Sequence, residues 1–94
     1  GVQYKVTFSI QGKFSEEDNE DIGFAINRII KKNTKSFKEN VIADRTFDYL
    51  VWVDPKLISS SRELYSALRQ DYSGKGQLRS INITRKLLLL RITE

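Results

Sequence analysis

The 94-residue sequence predicts an α+β domain made of a small antiparallel sheet, one main amphipathic helix and a C-terminal hairpin. Residues 2–10 alternate apolar and polar side chains, residues 22–30 repeat isoleucine and alanine at helical spacing, and two segments within residues 63–90 flank the run Ser73-Gly74-Lys75-Gly76. A period of two marks a half-buried strand, and a stripe at i, i+3 and i+4 marks a helix lying on a sheet. Two glycines around one lysine supply the positive φ angles of a tight reversal.

In the first strand Tyr4, Val6, Phe8 and Ile10 share one face and Lys5, Thr7 and Ser9 the other, so its core lies on one side. Gly12 marks a turn. Ser15 and Asp18 have capping-box spacing, with a shorter acid in place of Glu or Gln, and open the helix. Its stripe is Ile22, Ala25, Ile26, Ile29 and Ile30. Glu16, Glu17, Asp18, Glu20 and Asp21 sit at the positive end of the helix dipole, and Lys31, Lys32 and Lys35 at its negative end. Carboxylates in a first helical turn serve capping, a simpler account than a metal or acid–base site. By the same logic Lys31, Lys32, Lys35 and Lys38 read as C-terminal helix charge ahead of phosphate contacts.

Residues 45–55 form the next strand, with Phe47, Tyr49, Val51 and Val53 on one face and Leu50 and Trp52 on the other. Two apolar faces place a strand centrally or under a covering element, and Pro55, which has no N–H for a ladder, ends it. The pattern fails as the stacking strand of an RNA recognition motif, because Thr46 and Asp48 replace small residues and the first strand offers only Lys5, Thr7 and Ser9 on its open face. The aromatics Phe47, Tyr49 and Trp52 therefore read as core.

Residues 59–72 admit two readings. Ser60 with Glu63 is a capping box, and Leu64, Tyr65 and Leu68 at helical spacing give a second helix and a βαββαβ ferredoxin-like sandwich. Alternatively Tyr65, Ala67 and Arg69 alternate with Leu64, Ser66 and Leu68, as a strand feeding the glycine reversal does. Beyond the glycines, Ile81 and Ile83 alternate with polar residues before a four-leucine run.

Composition excludes most chemistry. Without cysteine there is no disulfide, thiolate metal site or cysteine nucleophile, and without histidine no serine-type triad or imidazole zinc site. Gly74-Lys75-Gly76 lacks the first glycine and the strand-to-helix setting of a phosphate loop. No catalytic residue, metal or cofactor is expected. The longest apolar run, residues 87–90, is far short of the roughly 20 residues of a membrane helix, so no membrane partner is expected either. With glycine first and no methionine, the chain reads as a single excised domain carrying a tag remnant. Charge is uneven: residues 1–54 hold eight basic and nine acidic side chains, residues 55–94 eight and three, a net +5. Such asymmetry points to an anionic partner, nucleic acid before membrane. Arg69, Lys75, Arg79, Arg85 and Lys86 are the candidate phosphate contacts.

Taken in order, the segments resemble the N-terminal domain of Argonaute and Piwi proteins. Gln3-Tyr4-Lys5-Val6-Thr7-Phe8 is similar to its opening Tyr-x-Val strand, and an amphipathic helix follows. Phe47-Asp48 stands where the family has Phe-Asp or Tyr-Asp before a strand, although Tyr49 replaces the usual glycine. A polar connection, a Gly-x-Gly-like turn and a strand over residues 79–84 complete the likeness, which covers nearly the whole chain. The resemblance favours the hairpin over a second helix. It implies the N domain of a guide-loaded silencing protein, which helps wedge duplexes apart during loading and limits guide–target pairing without catalysis, any nuclease domain lying elsewhere in the parent. The implied partners are guide RNA, the guide–target duplex and the other domains of the parent, in the cytoplasm or, alternatively, the nucleus. Residues 87–94 would then begin an interdomain linker. The competing expectation is a ferredoxin-like protein-interaction module whose basic strands meet an acidic partner.

Overall fold

The alternation of residues 2–10 becomes strand β1 (Val2–Ile10), the central strand of a five-stranded sheet. The computed structural model describes the backbone of residues 1–94 and every side chain except those of Val41 and Ile42. After β1 come α1 (Glu16–Asn33), β2 (Ser36–Ala43), β3 (Thr46–Val53), α2 (Ser61–Asp71), β4 (Gln77–Ile83) and β5 (Leu87–Thr93), and the sheet order is β2-β3-β1-β5-β4. The fold is α+β. The pairs β1–β3, β2–β3 and β4–β5 are antiparallel, whereas β1–β5 is parallel, so the sheet is mixed rather than wholly antiparallel.

Both helices pack on one face. The expected stripe of α1, Ile22, Ala25, Ile26, Ile29 and Ile30, is buried throughout. It joins Tyr4, Val6, Phe8 and Ile10 of β1, Tyr49, Val51 and Val53 of β3, and Leu88, Leu90 and Ile92 of β5 in one core. Ser15 caps α1 by accepting from the Asp18 N–H at 3.0 Å. The capping box is half made, because the Asp18 carboxylate turns to Lys75 instead of reaching back.

Residues 61–71 form the second helix, not the first strand of a hairpin. The Ser60 hydroxyl accepts from the Glu63 N–H at 3.1 Å, and the Glu63 carboxylate returns to the N–H of Ser59 at 3.3 Å. Leu64 and Leu68, one turn apart, are fully buried, while Ser66, which a period of two would place beside them, is exposed. The first five elements thus follow the βαββα of the ferredoxin-like alternative. The ending departs from it, since α2 leads to a hairpin whose first strand, β4, takes the sheet edge while β5 returns parallel to β1.

Other expectations change with that helix. Gly74-Lys75-Gly76 connects α2 to β4, and only Gly76 takes a positive φ, 73°. A Cβ there would also collide with the Thr93 carbonyl oxygen. The hairpin reversal lies instead at residues 84–86, closed by the Thr84 N–H donating to the Leu87 carbonyl at 2.8 Å. Residues 87–93, expected as the start of a linker, are a strand inside the sheet, with Leu88, Leu90 and Ile92 fully buried. Residues 36–43 form an edge strand that the sequence did not announce, so Lys38 belongs to β2 and not to the end of a helix that stops at Asn33. In β4 a bulge between Ser80 and Asn82 breaks the period of two: Ile83 packs on the core while Ile81 is 45% exposed.

Leu68→Ala is expected to cost about 2–5 kcal/mol by urea unfolding, the range for a truncated core leucine. Ile81→Ala is expected to stay within about 0.5 kcal/mol, as for surface positions generally.

A candidate nucleic-acid interface on the open face of the sheet

Side chains of a strand alternate between two faces, so burying one face of β1 under the helices commits the other to the opposite surface. Cross-strand register carries that division across the sheet. Lys5 lies between Leu50 of β3 and Leu87 of β5, and Lys38 of β2 is opposite Leu50. The next row holds Asp48, Thr7, Leu89 and Asn82, and the row after it Thr46, Ser9, Arg91 and Arg79. Trp52 closes the other end, paired with Gln3 and Ser36.

Leu50, Trp52, Leu87 and Leu89 are half-buried and form an apolar strip through the middle of this face. Lys5, Lys38, Arg79 and Arg91 stand within and around it. Among the described residues Asp48 is the one acid at a paired position of the face. It is already committed, accepting from the Thr7 hydroxyl at 2.5 Å and lying 3.7 Å from the Lys5 ammonium. Arg79 is held by its own strand, donating to the Leu78 carbonyl at 3.0 Å and to the Gln77 side chain. Arg91 donates to the Gln11 side chain at 3.4 Å. These hydrogen bonds leave both guanidinium charges uncompensated by any carboxylate, and they restrict the rotamers a phosphate would otherwise have to order.

The five residues expected to contact nucleic acid do not share a surface. Arg79 alone takes a paired position on the open face. Arg85 is exposed in the β4–β5 turn. Lys86, beside it, reaches over the ring of Tyr4 at 5.3 Å, on the side of the sheet that the helices cover. Arg69 is exposed on α2. Lys75 bridges to Asp18 at 2.7 Å, tying the loop after α2 to the start of α1. That hydrogen bond raises the Lys75 ammonium above its ordinary value and lowers the Asp18 carboxyl, which the Ser15 hydroxyl lowers further. The same loop is pinned by Tyr72, whose hydroxyl donates to the Lys75 carbonyl at 2.6 Å and which burial pushes up to about 12.

Two contributors to the open face had readable signals that other features masked. Arg91 follows the period of two through Leu87 and Leu89, but four consecutive leucines hide that period. Lys38 lies opposite Leu50 in a strand whose inward positions include Phe37 and Glu39, a sequence too polar at its centre to read as β. Of the aromatics expected in the core, Phe47 and Tyr49 are on the helix side, and Trp52 is on the open face. Comparison of the chain with protein-family models, with curated proteins and with solved structures returned no match in any of the three.

The carboxyls of Asp18 and Asp71 both sit below the ordinary value of 3.8, the first through Lys75 and the second through hydrogen bonds from Asn33 and then Lys32. A depressed carboxylate stabilises the fold above its unfolded value and loses that contribution as pH falls through its folded value. Stability is therefore expected to fall as pH drops below about 4. In the double substitution Asp18→Asn, Asp71→Asn that acid limb should be flatter, measured by urea unfolding at a series of pH values.

Proposed function

We propose that the chain is a non-catalytic RNA-contacting domain that acts as the N domain of a guide-loaded silencing protein, holding duplex backbones while a rigid sheet obstructs stacking. The observation that carries this reading is the open sheet face, where four cations surround an apolar strip and the one acid is already paired. Phosphate contacts need no sequence information, only positive charge that can release counterions. A wedge adds a flat apolar element against a terminal base pair, and Trp52 with Leu50 supplies it. The guide RNA and the guide–target duplex are the proposed partners, with the other domains of the parent around them. The silencing role rests on the order of segments along the chain. Because α2 stands where that likeness placed a hairpin strand, we assign the contact surface to the open face of all five strands, with Arg85 at its rim, rather than to a projecting arm.

The half-buried strip itself favours a second reading, a protein-interaction module docking an acidic partner through the same face. One measurement separates the two. Trp52 is the sole tryptophan and lies on the proposed surface, so its fluorescence reports occupancy directly. Titration with a short RNA duplex across a salt series is expected to change that emission with an affinity that falls as salt rises. Lys38→Ala, Arg79→Ala, Arg91→Ala together should reduce the slope of log K against log salt by about 2–3, at about 0.7–0.9 for each phosphate no longer neutralised. Arg69→Ala, on the helix side, should leave it unchanged. Binding that ignores both salt and the triple substitution would count against RNA and for the protein-docking reading.

A further inference from the structure

On the opposite side of the molecule, a groove of about 640 Å³ runs between the N-terminal half of α1 and the turn end of the β2–β3 hairpin. Its charge is the reverse of the sheet face. Glu16 and Glu20, one helical turn apart, line one wall, and Glu39 and Asp44 line the other, with no cation among the described lining residues of a chain whose net charge is +4. The floor is aromatic. Gly23 lets Phe47 lie against the helix, since a Cβ there would come within 3.2 Å of the ring. Phe24 stands at the rim with 57% of its surface exposed, far more than a packing role requires.

One acceptor is set in advance. Glu39 takes a hydrogen bond from the Tyr49 hydroxyl at 2.5 Å, and that hydroxyl in turn accepts from the Asn27 amide at 3.4 Å, so a chain of bonds aims the carboxylate. The side-chain oxygen of Asn19, also in the groove, is buried without a hydrogen-bond partner. Among the described residues no three carboxylates converge as ligands of one ion, so the groove does not suit a metal. It suits an extended cation with several N–H donors in a plane and two faces for aromatic contact, which describes a guanidinium and not an ammonium.

We propose that this groove binds an arginine side chain presented by a partner polypeptide, the guanidinium donating to Glu39 and Glu20 while it stacks between Phe24 and Phe47. This site is independent of the RNA-contacting face and stands whether or not that face binds RNA. The test is a titration of the isotopically labelled chain with a capped Gly-Arg-Gly peptide, followed by amide chemical shifts, against the same peptide carrying citrulline. Citrulline keeps the shape and removes the charge. The expected result is saturable shifts confined to residues 16–27 and 39–47 with the arginine peptide, and binding at least about tenfold weaker with citrulline, as for removal of a charge-assisted hydrogen bond. Glu20→Gln with Glu39→Gln should weaken the arginine peptide by a similar factor, and Phe24→Ala should weaken it too. All three side chains are exposed, so the variants retain the fold. Equal response to both peptides, insensitivity to the double substitution, or no shift up to about 10 mM peptide would each overturn the proposal.

Discussion

β1 is bonded on both sides, antiparallel to β3 and parallel to β5, and its alternation decides which surface the helices take. Tyr4, Val6, Phe8 and Ile10 are almost wholly removed from water, and placing Lys5, Thr7 and Ser9 there instead would strand a charge and two hydroxyls in the core. A shift of one residue in register would do just that, so the register is held strongly. Everything that faces α1 and α2 follows from this, and so does everything left facing the other way. The bare sheet face is the complement of a core that needs only one cover.

Sequence patterns identified the elements whose burial matches a single clean period. The α1 stripe and the inward faces of β1 and β3 were legible residue by residue, because each packs one face against one layer. Legibility failed where a second influence overlaid the period. The segment that became α2 satisfies both periods over a few residues, and only tertiary burial of Leu64 and Leu68 chooses between them. β2 is an edge strand with Glu39 at an inward position, tolerated because its carboxylate meets the Tyr49 hydroxyl and lines an open groove. β5 is apolar on both faces, so alternation vanishes within it and its place beside β1 is invisible locally. The candidate site suffered most. Its cations come from four strands that are distant in sequence, and the register that gathers them depends on β2 and β5, the two strands least readable beforehand.

Two surfaces of opposite character result from one arrangement. Among the described residues, the sheet face carries Lys5, Lys38, Arg79 and Arg91 against one paired acid, whereas the groove beside α1 carries four carboxylates and no cation. Tyr49 belongs to the strand shared by both: its ring packs in the core against Phe8 and Phe37, its hydroxyl orients Glu39, and its neighbours Asp48 and Leu50 point the other way. Burial and the adjacent Glu39 carboxylate raise its phenol above the ordinary value. On the two proposals, the anionic backbone and the basic polypeptide segment would meet opposite sides of the domain and would not compete.

The proposed RNA contact lies on the uncovered sheet face and not on the helical layer. Ultraviolet cross-linking of the chain to an RNA duplex, with the adducts mapped by mass spectrometry, locates the contact directly. Contact through the open face is expected to give adducts at Trp52 and within β1, β2, β4 and β5. Adducts concentrated on α1 or α2, or none under conditions where a known RNA-binding domain cross-links, would contradict it.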